Sequence, residues 1–205
     1  MLCMEYTKLF KPVLFVVLFM GCFTLSSQAQ TPALDAYNQT RQQITKIGMI
    51  TLGSWAIGNM ALNGGLMLNR ERDQRYYFYQ MNVFWNVVNL GLAGFSFLSL
   101  NEPGGLSLYE TLQEQNQLEK ILLFNAGLDL GYMATGLYLR ELGNNRESRR
   151  NQWRGYGNAL ILQGGFLFVF DVALATVLNQ HADNLSPFFQ NVSLSPAAFS
   201  IKIPL

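Results

Sequence analysis

The sequence predicts an all-α fold, an integral membrane four-helix bundle preceded by a signal peptide, and three observations carry that prediction. Only 13% of the 205 residues are charged, roughly half the usual share, which is too few to clothe a solvated surface of ordinary size. Half of the residues are hydrophobic, and they gather into four stretches long enough to cross about 30 Å of hydrocarbon. The arginines collect in alternate loops, the asymmetry that orients helices in a bilayer. A net charge of +1 offers no basic field to displace counterions from nucleic acid, so no nucleic-acid partner is expected.

Residues 1–29 have the three parts of a secretory signal peptide. Lys8 and Lys11 precede an almost unbroken apolar run from Pro12 to Leu25, and Ser27 and Ala29 stand where a signal peptidase reads small residues. The run is shorter than the about 20 residues that a spanning helix needs. Cleavage after Ala29 is expected. A retained anchor and lipid attachment at Cys22 are the alternatives, although Phe19 departs from the aliphatic residue usual three places before such a cysteine. Cleavage removes Cys3 and Cys22, and with them disulfides, thiol chemistry and cysteine-bound metal centres. His181 is the only imidazole, which leaves a histidine metal site or a Ser-His-Asp triad without partners. It reads as incidental. No cofactor, no metal and no enzymatic activity are expected.

Residues 30–43 form a polar lead-in, frayed or helical, before the four-helix domain of residues 44–178. The first expected span covers residues 44–68. Asn69 to Arg75 then brings Arg70, Arg72 and Arg75 beside the aromatic cluster Tyr76 to Tyr79, the mixture that a membrane–water boundary favours. The second span, 78–100, stops at Asn101-Glu102-Pro103-Gly104-Gly105, because proline removes a helix donor and glycine permits the turn. Leu106 to Gln117, with Glu110 and Glu114 four apart, reads as a short interfacial helix before the third span, 118–139. Gly143 to Asn145 ends that span, and Arg146, Arg149, Arg150 and Arg154 crowd the loop before the fourth, 156–178. The remainder, 179–205, reads as a polar extracytoplasmic tail. Within it Phe199, Ile201, Ile203 and Leu205 alternate with polar residues like a strand that has no visible partner.

Eight of the nine arginines lie in the loops after the first and third spans, and the intervening loop carries Glu102, Glu110 and Glu114. The positive-inside rule makes the arginine loops cytoplasmic, and cleavage of a signal peptide independently sends the new N-terminus outside. Arg41 and Lys46 dissent on the outer side. The arginines can also hold lipid headgroups or a protein partner, beyond setting the topology. Ile57-Gly58-Asn59-Met60-Ala61 echoes Leu130-Gly131-Tyr132-Met133-Ala134, which suggests two tandem helical hairpins; chance likeness between apolar helices is the alternative.

Lipid gives a helix no reason to carry amides or carboxylates, so those present mark the interior. Asn82, Asn86, Asn89, Ala93 and Ser96 share one stripe of the second span. Ser54, Gly58, Ala61 and Gly65 make a small-residue stripe in the first. Asn125, Asp129, Tyr132 and Gly136 share a face of the third, beside the pair Gly127 and Gly131, whose spacing suits either packing in the bundle or self-association. Asp171 lies with Gly164 and Ala175 in the fourth. Asp129 falls near the midplane with no lysine or arginine at its depth. A carboxylate there costs about 2.5 to 3.5 kcal/mol, so each aspartate must be protonated, bonded to amides such as Asn86, or wetted. One reading makes these groups interhelical glue, at about 0.6 kcal/mol per bond. The other makes Asn86, Asp129 and Asp171 a relay for a proton, cation or small solute.

The signal segment, the arginine loops and the four-span hydropathy over residues 44–178 resemble small uncharacterised inner-membrane proteins of Gram-negative bacteria, a family with no assigned activity. The resemblance implies a cytoplasmic-membrane location and supplies no catalytic residue. The function it leaves to test is a structural or interaction component, partnered by the lipid bilayer and by a membrane protein or a second copy of the chain. A small transporter or channel component is the alternative.

Overall fold

The computed structural model describes residues 31–100, 105–189, 192–195 and 198–201. The signal segment with Cys3 and Cys22, the turn at Asn101 to Gly104, and the last four residues lie outside the described residues. Four long helices make up the body: α1 (Thr31–Met67), α2 (Gln74–Leu98), α3 (Leu108–Asn145) and α4 (Arg150–Ala182). A 3₁₀ turn (Asp183–Leu185) and a one-turn helix α5 (Ser186–Phe189) follow, then an antiparallel hairpin of β1 (Val192–Ser195) and β2 (Ala198–Ile201). The strand-like tail therefore does have a partner, with Leu194 opposite Phe199.

Three helices run further than the spans expected for them. α1 takes in the lead-in, because Leu34, Tyr37, Arg41, Thr45, Leu52 and Ala56 recur on one helical face and are all buried. α3 is continuous from Leu108 rather than a separate interfacial helix followed by a span. Ser107 starts it with a capping box, its side chain accepting from the Glu110 amide while Glu110 accepts from the Ser107 amide. At about 1.5 Å per residue, α1 and α3 are about 56 Å long, far more than a hydrocarbon core, whereas α2 is about 38 Å.

The chain forms two antiparallel hairpins, α1/α2 and α3/α4, which meet mainly along the parallel helices α2 and α4. Both arginine-rich loops consequently lie at one end, the arginine end. There Gly155 lets α4 approach the carbonyl of Gln74, and Tyr156 donates to Gln80 Oε1 at 2.8 Å. α3 and α4 pack closest where Gly136 faces Gly157. A Cβ on Gly136 would lie 2.6 Å from the Gly157 carbonyl oxygen, and one on Gly157 would lie 2.5 Å from that of Gly136. Gly127 and Gly131 do not serve this approach. They are exposed, with nothing within 4 Å of a Cβ, because the buried face of α3 runs through Leu122, Ala126, Asp129 and Gly136. The stripe of Ser54, Gly58, Ala61 and Gly65 likewise faces outward.

Burial is distributed in two opposite ways along the helices. Over a band in the middle of the bundle the exposed side chains include Ile47, Ile57 and Leu66 on α1, Val87, Leu92 and Phe95 on α2, Leu123, Phe124 and Leu130 on α3, and Leu162, Val169 and Val177 on α4. The buried ones there include Asn82, Asn86, Asn89, Asp129, Gln163 and Asp171. α2 and the segment Arg150–Phe188 are long and apolar enough to cross a membrane. Beyond the band, opposite the arginine end, the ends of α1, α3 and α4 form a head. Leu34, Tyr37 and Leu185 are buried there against Leu108, Leu112 and Phe188.

Candidate functional site: the polar interior

Asp129 and Asp171 occupy the middle of the inverted band. Asp129 is about midway between the exposed residues Ile121 and Tyr138 of α3, and both carboxyl groups are buried, 3% and 6% exposed. α3 and α4 place the two side chains beside each other in the interior. The close backbone approach of α3 and α4 sets the distance, with Gly164 packed against the carbonyl of Asp129.

The asparagine stripe of α2 is buried as its spacing requires, but its hydrogen bonds differ from the expected ones. Asn82 Nδ2 donates to the carbonyl of Phe78 at 2.9 Å, and Asn86 Nδ2 donates to the carbonyl of Asn82 at 2.8 Å. The bond Asn86 makes is thus to its own helix and not to an aspartate. The bond that crosses between helices is made by Gln163, whose Nε2 donates to Asn82 Oδ1 at 2.6 Å while its Oε1 accepts from Trp55 Nε1 at 3.3 Å. One fully buried glutamine thus ties α1, α2 and α4 together. Asn125 is half-buried, one turn from Asp129 toward the head.

Four interior polar atoms of the band have no hydrogen-bond partner among the described residues: Trp85 Nε1, Asn86 Oδ1, Asn89 Nδ2 and Asp129 Oδ2. Two are donors and two are acceptors. Trp85 meets the ring of Tyr132 edge-on at 4.7 Å, one turn from Asp129. The interior therefore holds two neighbouring carboxyl groups with unspent hydrogen-bonding capacity of both kinds beside them.

The head has a denser network. Tyr37 donates to Gln115 Oε1 at 2.9 Å, Asn38 Nδ2 donates to Thr111 Oγ1 at 2.9 Å, and Gln115 Nε2 donates to the carbonyl of Leu178 at 2.9 Å. Arg41 donates to the carbonyl of Thr111 and pairs with Glu114, which explains the basic residue that the charge pattern left out of place. Burial lowers the Arg41 pKa, against the opposing pull of Glu114. Burial pushes the Tyr37 phenol up to about 12, with Arg41 acting against the rise and Glu119 adding to it. His181 is not incidental: its ring stacks on Tyr37 at 4.2 Å, and its Nε2 lies 3.0 Å from the Tyr37 carbonyl oxygen.

At the arginine end, Arg70 forms a fork with Asp73, which caps α2 by accepting from the Tyr76 amide. The Asp73 carboxyl is held below the usual range, first by the bond from Arg70 and then by that amide. Arg72, Arg75, Arg146, Arg149 and Arg150 are exposed, and Arg154 lays its stem against Gly143. Gln163, Trp55, Tyr37, Asn38, Thr111 and Gln115 were not among the expected site residues. For Tyr37, Asn38, Thr111 and Gln115 the signal was the continuation of each buried stripe beyond the apolar run.

These features define a protein whose body is four long helices, with an apolar band around a polar interior. The chain belongs to DUF6992, a family of unknown function, whose model matches residues 51–172. The matched stretch contains both aspartates, the asparagine stripe and Gln163. No curated protein and no solved structure matches the chain.

Proposed function

We propose that all four helices cross the cytoplasmic membrane and that the protein is a structural or interaction component of it, without catalytic activity. The observation that carries this reading is the inverted band, with isoleucine, leucine, phenylalanine and valine outside and asparagine, glutamine and aspartate inside. In water such a surface would aggregate, and in lipid it is the stable arrangement. The interior bonds then act as glue: Gln163 fixes the register of three helices, and the carboxyl pair joins α3 to α4. The arginine end faces the cytoplasm, and the head and both termini face the periplasm. Carbonate extraction tests the location: the protein stays with the membrane pellet, and recovery in the soluble wash overturns the reading. Cysteines at Gln113 in the head and Ser148 at the arginine end test the orientation, since only the former should react with an impermeant reagent.

The unspent donors and acceptors beside the two carboxyl groups favour a second reading, a proton or cation relay through Asn86, Asp129 and Asp171. The double substitution Asp129→Asn and Asp171→Asn separates the two. Glue survives it, because amides keep hydrogen bonds between α3 and α4. A relay loses ion flux into proteoliposomes completely while the folded fraction is unchanged.

A further inference from the structure

We infer that a cavity at the base of the head is a binding site for a zwitterionic headgroup bearing a phosphate and an ammonium, the headgroup of an ethanolamine phospholipid. The inference rests on the membrane location proposed above. The cavity, about 280 Å³, opens between α1 and α3 beside the end of α2. At about 30 Å³ per water it has room for about nine, hence for a headgroup and its glycerol. Its level is the upper edge of the apolar band. Ser99, which caps the end of α2, borders it, and the adjacent Leu98 and Ile121 are exposed.

The walls differ in chemistry. Leu100, Leu106, Leu118 and Ile121 make one side apolar, as the first carbons of acyl chains require. The opposite side holds Arg41 and Glu114, a cation and an anion that neutralise each other, so a net anion or a net cation gains less there than a zwitterion. Arg41 is 5% exposed and commits N–H groups to Thr111 and Glu114, and a guanidinium has five such donors. Those remaining suit a phosphate. Glu114 is half-exposed, with one oxygen on Arg41, and its other oxygen is an acceptor for an ammonium. An ethanolamine ammonium can donate to that exposed oxygen, and a choline of the same charge cannot.

The test is native mass spectrometry of the protein released from nanodiscs containing equal fractions of ethanolamine and choline phospholipids with identical acyl chains. One ethanolamine lipid is expected to stay bound, at about tenfold preference over choline. Leu118→Trp, which fills the apolar side, should abolish the retained lipid with an unchanged helical spectrum, and Ile121→Trp serves the same purpose if the first variant folds poorly. Glu114→Gln should reduce the preference toward parity. Equal retention of both lipids, or undiminished binding in the filled variants, overturns the inference. Soluble glycerophosphoethanolamine distinguishes the sources: displacement of the lipid at micromolar concentration would make the ligand a free solute and refute a lipid site. Failure of carbonate extraction refutes the membrane reading, whereas a membrane-retained protein without lipid preference refutes this site alone.

Discussion

The head and the band share helices but differ in what they show their surroundings. In the head, Leu34, Leu185 and Phe188 turn inward beside the bonded network of Asn38, Arg41, Thr111 and Gln115, and polar groups such as Asn184 and Glu114 stand at the surface. In the band, a few turns further along α1, α3 and α4, large apolar side chains stand at the surface, and the amides are buried beside a small apolar cluster of Leu122, Ala175 and Leu178. α1 crosses from one regime to the other without a break in its helix or in its buried stripe. Periodicity therefore reports which face is buried. The residue types on the opposite, exposed face report which solvent surrounds it.

The largest effect should come where close backbone approach matters more than either solvent. Gly157→Val should cost about 3 kcal/mol or more, because its side chain meets the Gly136 carbonyl and the stem of Arg140. The expected result is loss of resistance to denaturing detergent in both regions together, since α3 and α4 serve both.

The contrast itself is tested by matched substitutions. Leu185→Ala in the head should cost about 2 to 4 kcal/mol, as truncation in a water-excluded core does. Leu123→Ala in the band should change stability little, whereas Leu123→Arg should cost about 2.5 to 3.5 kcal/mol if that surface faces lipid. Denaturation in bicelles measures all three, and a Leu123→Arg protein as stable as the parent would remove the distinction between the regions.

Tyr37→Phe should weaken the head by about 1 kcal/mol through loss of the bond to Gln115. The same position gives a pH signature. Because the folded Tyr37 resists ionisation, its contribution is complete below the unfolded phenol value of about 10 and is lost as the pH rises from there through about 12. Hydrogen exchange in the head should accelerate across that window in the parent and less so in Tyr37→Phe. The smallest effect is expected at Arg149, which caps α4 with φ of 63°. Replacement by glycine relieves the left-handed strain and should leave stability unchanged or raise it by up to about 1 kcal/mol, read as a shift in Tm.

Much of the band was legible because its signals are local. The four apolar runs, the arginine loops and the asparagine stripe at steps of four and three required only helical periodicity, and both aspartates stood out as acids inside apolar runs, although nothing local showed that they would be neighbours. The head was not legible in the same way. Its residues come from three distant segments, and none is apolar enough to stand out. Cutting the spans at residues 44, 118 and 178 followed hydropathy, although the stripe from Leu34 through Arg41 to Ala56 continues across the first of these limits. The Gly127 and Gly131 pair misled for a related reason, since a spacing of four shows that two glycines share a face without showing which way that face points. Gln163 was passed over because a single amide in an apolar run carries no pattern.

The stacking of His181 on Tyr37 joins residues 144 apart in the sequence, the last helical turn of the body with the first. During synthesis the lead-in can meet α3 first, through Gln115, Thr111 and Glu114, but its contacts with His181 and Leu185 wait for α4 and the turn after it. Until then Leu34 and the ring face of Tyr37 remain partly open to proteases and chaperones. Closure of the head is thus a report that the final span has arrived, and a chain truncated after Leu178 would retain its band and lack that seal.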